Sequence, residues 1–110
     1  MGEWMNGYMD KLAGLRQANQ EGGGADRLRM VRELGKLTAR ERIDQLSDAG
    51  SFEEIGSAVT DSSPSFDGVE RPSPSDGIVM GLTAIDGRPV AIYATDFTVM
   101  SGAIGDQAAW

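Results

Sequence analysis

The chain has 110 residues, of which 40% are hydrophobic and 25% are charged, and this composition suits one globular domain with a modest core. It contains neither cysteine nor histidine, which excludes disulfides, thiolate chemistry and the commonest general base near neutral pH. No apolar run approaches the ~20 residues of a membrane span and no leader pattern opens the chain, so we expect a cytoplasmic protein with no membrane span.

The net charge of -7 is unevenly distributed along the chain. Residues 25–42 carry six basic and three acidic side chains, whereas residues 43–110 carry two basic and eleven acidic ones. A basic helical segment on an acidic body can attract a small phosphorylated ligand while the body repels long polyanions, so no nucleic-acid partner is predicted. The alternative interpretation is a solvated helix face whose arginine stems lie on apolar neighbours.

Residues 3–20 have the apolar spacing of an amphipathic helix, with Trp4, Tyr8, Leu12 and Leu15 on one stripe. A stripe of this kind usually serves packing, so the apolar face needs a partner. Three consecutive glycines at 22–24 are predicted to end this helix, because glycine loses the most backbone entropy on ordering.

A second, shorter helix is predicted over 25–34. Its apolar spacing turns Leu28, Val31 and Leu34 inward, and its arginines then face outward. Gly35 follows directly and is a natural helix terminator.

A third helix is predicted to begin at Thr38, because Thr38 and Glu41 have the spacing of a capping box. Its inward face is predicted to consist of Ala39, Ile43 and Leu46. The helix is expected to close at residues 48–50, where Asp, Ala and Gly follow one another.

Residues 51–56 are predicted to be extended, and residues 60–75, rich in Ser, Pro, Asp and Gly, are predicted to form a surface loop. Two apolar, β-prone runs then flank Asp86-Gly87, a pair that can adopt positive φ at both positions and so predicts a tight hairpin. Both faces of the hairpin strands carry apolar or small residues, which is typical of strands covered on both sides. Because two strands are marginal alone, the hairpin needs layers above and below it.

After Asp96 the second strand is predicted to continue through Met100 and to pass into a helix with Ser101 as its N-cap and Asp106 in its first turn. Backbone amides at such a junction can form an anion or oxyanion site, and glycines let a ligand come close. A tight strand-to-helix turn without a ligand is the alternative at this point. The last helix reaches Trp110 within roughly two turns, against ~11 residues for an average helix, so we expect a truncated domain or a split subunit completed by another chain.

Five sequence blocks agree in order and spacing with one family. They are GKLTARERI at 35–43, D-x-G-S-F-x-E at 48–54, DGIV-x-G at 76–81, IDGRPV at 85–90 and DFTVMSGAIG at 96–105. Together they resemble the start of the biotin-dependent acyl-CoA carboxyltransferases, of the propionyl-CoA carboxylase β-subunit type and the acyl-CoA decarboxylase α-subunit type.

The resemblance implies an α+β to α/β fold, in which N-terminal helices precede the first ββα unit of a crotonase-like (ClpP/crotonase ββα-spiral) domain that is incomplete here. It divides the chain into an N-terminal helical segment at 1–56, a Ser/Pro/Asp-rich loop at 57–75, and the start of the carboxyltransferase N-domain at 76–110.

The resemblance also implies a function: members move a carboxyl group between biotin and the α-carbon of an acyl-CoA, holding the developing charge in oxyanion pockets. The residues expected to contact CoA are Met100, Ser101, Gly102, Ala103 and Ile104, together with Lys36, Arg40 and Arg42 for its phosphates. No catalytic residue and no metal ligand is assigned.

The expected partners are acyl-CoA as substrate, biotin carried on a partner protein or domain, a biotin carrier protein, and the rest of the carboxyltransferase subunit or a homologous larger subunit, in an oligomer. The first hypothesis is that the chain is the N-terminal portion of such a subunit and inactive alone. The alternative is a non-catalytic small assembly subunit that docks on a larger carboxyltransferase chain.

Overall fold

The computed structural model describes residues 2–60, 68, 73–103, 105 and 109. Most of the predicted 60–75 loop, the side chain of Met100, and Asp106 with most of the predicted last helix lie outside the described residues. The described elements are α1 (Glu3–Glu21), α2 (Ala25–Glu33), α3 (Ala39–Leu46), β1 (Glu53–Ile55), β2 (Ile78–Ile85) and β3 (Arg88–Thr95). Two short 3₁₀ turns, Pro74–Gly77 and Met100–Gly102, flank the hairpin formed by β2 and β3.

The three strands form an antiparallel sheet in the order β1-β2-β3. The predicted hairpin is confirmed: Ile85 pairs with Arg88, and the turn between them has φ of 50° at Asp86 and 76° at Gly87. Two consecutive positive φ angles are the geometry of the tight turn that best matches the twist of antiparallel strands. The extended segment predicted at 51–56 is also confirmed, because it contains β1.

The D-x-G-S-F-x-E block at 48–54 is hydrogen-bonded to this hairpin. The carboxylate of Asp48 accepts hydrogen bonds from the backbone amides of Asp86 and Gly87, each at 2.9 Å. Ser51 Oγ lies 2.8 Å from Thr83 Oγ1 and accepts from the amide of Ala84 at 3.2 Å. The turn therefore has its orphan amides satisfied by a segment that is distant in sequence.

One face of the sheet packs on α3 and forms the core. Val79 of β2 contacts Ala39 and Ile43 of α3, and all three are buried. Phe52, Ile92 and Ala94 pack around them. We call this the inner face of the sheet.

The opposite face, which we call the outer face, has large apolar side chains open to solvent. They are Ile55, Met80, Leu82 and Tyr93, contributed by all three strands. The prediction that both faces are apolar is confirmed, but within the described residues only the inner face is covered.

The start of α3 is also as predicted. The amide of Glu41 donates to Thr38 Oγ1 at 3.2 Å, and the amide of Thr38 donates to Glu41 Oε2 at 3.0 Å, which completes the capping box. The backbone hydrogen bond from Thr38, joined by one from Arg32, lowers the pKa of the Glu41 carboxyl.

Three sequence predictions need correction. Leu34 is exposed because α2 ends at Glu33 and Leu34 already has non-helical ψ at the C-cap. Leu46 is exposed because the eight-residue α3 meets the sheet through Ala39 and Ile43, and Leu46 lies beyond that contact as the final helical residue. The second hairpin strand does not continue to Met100: it ends at Thr95.

The strand ends there because the Asp96 side chain reverses the chain. Its Oδ1 accepts from the amide of Thr98 at 3.0 Å, which replaces the ladder partner that a longer strand would need. The amide of Val99 then donates to the carbonyl of Asp96 at 3.0 Å. No helix among the described residues combines the length and hydropathy that crossing a bilayer requires.

Candidate functional site

The predicted CoA segment begins directly after the tight turn at 96–98. Met100–Gly102 form a 3₁₀ turn in which Ser101 has φ of 54° and Gly102 has φ of 80°. Ser101 and Ala103 are exposed, whereas the side chain of Met100 and all of Ile104 lie outside the described residues. Ser101 and Ala103 are thus presented to solvent on a loop and not at the end of a long strand.

The turn at 96–98 packs against the glycines that connect α1 and α2. The amide of Gly23 donates to Thr98 Oγ1 at 2.9 Å, and that hydroxyl donates to Asp96 Oδ1 at 2.5 Å. A Cβ at Gly23 would lie 1.7 Å from the carbonyl oxygen of Thr98, so no other residue fits there. The predicted helix break at 22–24 therefore has a second purpose that composition alone did not reveal: it lets two backbones touch.

Arg27 of α2 adds to this contact, because its Nη1 donates to the carbonyl of Thr98 at 3.0 Å. Arg29 pairs with Asp26 at 3.1 Å on the exposed side of the same helix. Arg32 pairs with Glu41 at 2.7 Å. Of these three arginines, Arg29 lies on a solvated face as the alternative interpretation expects, whereas Arg27 and Arg32 join elements of the fold.

Arg40, one of the three predicted phosphate contacts, is engaged in a largely buried ion pair. Its Nη1 and Nη2 donate to the two carboxylate oxygens of Glu54 at 2.9 and 2.8 Å, and Nη2 also donates to the carbonyl of Asn19 at 3.2 Å. Asn19 Nδ2 donates to Glu54 Oε1 at 2.9 Å, and Ser75 Oγ donates to Asn19 Oδ1. This network, which we call the Arg40–Glu54 network, joins α1, α3, β1 and the Pro74–Gly77 turn.

Two opposing effects set the pKa of Glu54. Burial raises the pKa of its carboxyl, but hydrogen bonds from Arg40 and Asn19 and the Arg40 charge outweigh burial and lower the pKa overall. Glu54 is therefore ionised in the folded chain at neutral pH and provides the counter-charge that Arg40 needs.

Lys36 and Arg42, the other two predicted phosphate contacts, line a common cavity of about 170 Å³. Neither has an acidic partner among the described residues. The walls consist of Val31, Leu34, Leu37, Thr38, Ala39 and residues 95–98. Lys36 and Arg42 therefore lie beside the turn that leads into Met100–Gly102. Arg40 instead lies in the Arg40–Glu54 network.

Sequence reasoning missed the apolar part of this cavity. Phe97 and Leu37 line it with exposed rings and methyl groups, yet the sequence placed Phe97 inside a strand. The signal that could have found it is Asp96 followed two residues later by Thr98, because Asp often binds the amide two residues on and starts a turn. Among the described residues no group of three metal-ligating side chains is present.

Comparisons with known proteins identify the family of this chain. The family model described as "Carboxyl transferase domain" matches residues 30–110. The propionyl-CoA carboxylase carboxyltransferase subunit of Haloferax mediterranei is 39% identical over 102 residues, covering 93% of this chain and 20% of that protein. The methylmalonyl-CoA carboxyltransferase 12S subunit of Propionibacterium freudenreichii is 40% identical over 102 residues, with the same coverage.

Among solved structures, the transcarboxylase 12S hexamer with hydrolysed methylmalonyl-CoA bound matches with a TM-score of 0.88 and 38% identity, over 99% of this chain and 22% of that one. A single-chain, multi-domain long-chain acyl-CoA carboxylase matches with a TM-score of 0.79 and 28% identity, over 90% of this chain and 11% of that one. The helices and hairpin thus have the fold of the N-terminal part of a crotonase-like carboxyltransferase domain, and the chain spans about a fifth of the length of the curated relatives given above. On the family match and these identities, this chain belongs to the carboxyl transferase domain family.

Proposed function

We propose that this chain is the N-terminal portion of a carboxyltransferase subunit that moves a carboxyl group between biotin and an acyl-CoA, and that its own part in the reaction is to hold the CoA moiety. Family membership supports the reaction class. The relatives are named as subunits acting on propionyl-CoA or methylmalonyl-CoA, and one solved relative holds a CoA compound.

The observation that carries the CoA-binding proposal is the cavity shared by Lys36, Arg42 and the turn at 96–98. CoA has three phosphate groups, a planar adenine and a long pantetheine arm. Two cations beside an exposed aromatic ring and a leucine fit a phosphate next to the adenine.

The size of the cavity limits what it holds. At about 170 Å³ it is smaller than the ~300–1,000 Å³ that enclose a drug-sized ligand, so it accommodates one end of CoA. The rest of the molecule would then run along the surface towards Met100, Ser101, Gly102, Ala103 and Ile104, whose backbone can approach it closely. Arg40 supports the site indirectly in this proposal, by holding α3 through Glu54.

The cavity that contains Lys36 and Arg42 suits a phosphate better than the uncharged ring of biotin, because two cations line it beside the single carboxylate of Asp96. We therefore propose that biotin arrives on a carrier protein or domain and meets the acyl-CoA in the remainder of an oligomeric carboxyltransferase, in the cytoplasm. The isolated chain is expected to transfer no carboxyl group.

Isothermal titration of the chain with CoA tests this proposal. We expect the double variant Lys36→Gln/Arg42→Gln to bind CoA at least about tenfold more weakly, because charge-assisted hydrogen bonds to phosphate are lost. The matched control is Lys11→Gln/Arg16→Gln on the exposed face of α1, which changes the net charge equally. Equal losses in both variants would show a general charge effect and contradict the site.

The alternative, a small assembly subunit, is favoured by the outer face of the sheet with Ile55, Met80, Leu82 and Tyr93 exposed. It predicts that the chain binds an intact larger carboxyltransferase subunit. The first proposal predicts no such complex, because an intact subunit already contains its own copy of this segment. Sedimentation velocity on the mixture distinguishes the two.

A further inference from the structure

Asp76 lies directly before β2 and is fully buried. It has φ of 48° and ψ of 37°, and Ser75 before it has φ of 53°. Left-handed backbone costs an L-residue about 1 kcal/mol or more, and such strain persists only where the surroundings hold it. Two adjacent residues in this conformation indicate that the position of the Asp76 side chain is imposed by the fold.

The Asp76 carboxylate lies against Gly105, the residue that directly follows the predicted CoA segment. A Cβ built on Gly105 would lie 1.9 Å from Oδ1 of Asp76, and 2.4 Å from both Cγ and Oδ2. These distances leave no room for any side chain at position 105. Glycine is required there because the carboxylate approaches the backbone itself.

Gly77, the next residue, lies under the other part of the same segment. A Cβ on Gly77 would be 3.5 Å from the carbonyl oxygen of Ala103 and 3.7 Å from Cγ1 of Val99. The carbonyl of Gly77 accepts from the amide of Asp96 at 2.7 Å. The dipeptide 76–77 therefore lies against Val99, Ala103 and Gly105.

The dipeptide is in turn fastened to the helices. Ser75 Oγ donates to Asn19 Oδ1, and Asn19 belongs to the Arg40–Glu54 network. A chain of contacts thus runs from that ion pair through the Pro74–Gly77 turn to Gly105. A loop that is attached to packed helices in this way keeps one conformation. A loop that contacts a ligand binds it more tightly when that conformation is already formed before binding.

We propose that Asp76 is a positioning residue: its buried carboxylate fixes residues 99–103 and Gly105 in the conformation that contacts CoA. The contact of this loop with CoA rests on the proposed function, whereas the position of Asp76 against the loop does not. Asp76 itself does not touch the ligand. A carboxylate suits the task because a buried one must be met by N–H or O–H donors, which makes its surroundings rigid.

The first test is Asp76→Asn, which keeps the shape and removes the charge. We expect amide hydrogen exchange over 99–105 to become at least about tenfold faster without ligand, and CoA affinity to fall by about tenfold. The matched control is Asp48→Asn, which disturbs the amides of Asp86 and Gly87 at the hairpin turn. In this control variant, amide exchange of the loop and the affinity for CoA should stay within about twofold of the values for the natural chain.

The second test approaches the contact from the loop. Gly105→Ala places a methyl group on the carboxylate and should speed loop exchange and weaken CoA binding, whereas Gly14→Ala, at an open position in α1, should change neither. The double variant Asp76→Ala/Gly105→Ala removes the colliding oxygens, so it should be no worse than Asp76→Ala alone. Additive losses would overturn the direct contact.

The outcomes separate the two proposals. If the natural chain binds no CoA, the proposed function loses its support, and loop exchange still decides the role of Asp76. If Asp76→Asn and Gly105→Ala both leave exchange at 99–105 unchanged while circular dichroism shows a folded chain, the positioning role is wrong. Should Asp76→Asn not fold, Gly105→Ala, which adds one methyl group and changes no charge, decides alone.

Discussion

The two faces of the same three-stranded sheet differ in what covers them. On the inner face Val79 is 2% exposed beneath α3, whereas on the outer face Leu82, three positions further along the strand, is 53% exposed. Both positions are aliphatic and both belong to β2. The difference arises from where α3 lies, since helix and sheet meet through Ala39 and Ile43.

Polar contacts follow the same division. Glu54 pairs with Gly81 across β1 and β2, so it shares the inner face, and there it meets Arg40 of α3. Ile55 and Glu53, its neighbours along β1, are exposed. The inner face thus combines apolar packing with an ion pair, while the outer face presents large apolar side chains and the exposed Glu53 to solvent. Stability of the chain should therefore depend on one face alone.

The largest expected effect comes from breaking the inner face. Ile43→Ala should lower the free energy of unfolding by about 3 kcal/mol, because a buried β-branched side chain is lost and leaves a cavity. The measurement is urea denaturation followed by circular dichroism. Leu46→Ala in the same helix is the control, and its exposed side chain predicts a loss below about 1 kcal/mol. Equal losses would mean that α3 packs differently.

The next effect concerns the ion pair on the inner face. Glu54→Gln should cost about 2 kcal/mol at pH 7, because Arg40 remains largely buried without a counter-charge. The control is Glu33→Gln, whose 3.8 Å pair with Arg29 is exposed and is expected to contribute at most about 0.5 kcal/mol.

Glu54 also predicts the direction of pH dependence. Its pKa is lower in the folded chain than its usual 4.5, so its contribution is present above pH 4.5 and is lost as the pH falls through the folded-state pKa. Glu41 acts in the same direction. Denaturation curves between pH 7 and pH 3 should show falling stability, and Glu54→Gln should flatten that fall. An unchanged slope in the variant would contradict the role given to this pair.

A smaller effect is expected at the start of the helix that covers the inner face. Thr38→Ala removes the side-chain half of the capping box and should cost about 1 kcal/mol, measured as a shift of the urea midpoint at constant slope. Thr60→Ala at an exposed position is the comparison and should change the midpoint little.

The smallest expected effect is on the outer face. Leu82→Thr keeps β propensity and should change the free energy of unfolding by less than about 0.5 kcal/mol, while reducing self-association seen by sedimentation velocity. If the free energy of unfolding fell as much as in Ile43→Ala, the outer face would be covered in solution. That result would contradict the difference between the two faces.

Several elements could be predicted because their determinants are local. The capping box needs only Thr38 and Glu41, and the hairpin turn needs only Asp86-Gly87 between two β-prone runs. Helix α1 follows from apolar spacing and ends at glycines. In each case the residues that determine the conformation lie within a few positions of each other.

The candidate site was predicted less well, because its contacts join residues that are far apart in sequence. Lys36, Arg40 and Arg42 look alike in sequence, yet Arg40 meets Glu54, fourteen residues away, and the other two line the cavity. Asp76 and Gly105 are separated by a hairpin and still touch. Periodicity and short motifs contain no information on such pairings.

By itself, the sequence determined the helices, the hairpin and its turn, and the family, because backbone preference and the order of motifs are properties of the chain. Only the tertiary structure decided which sheet face α3 covers, which arginine forms the ion pair, why Gly23 and Gly105 must be glycine, and where β3 ends. The physical reason is that burial and close backbone contact depend on residues far apart in sequence, and the free energy of each arises only when those residues meet.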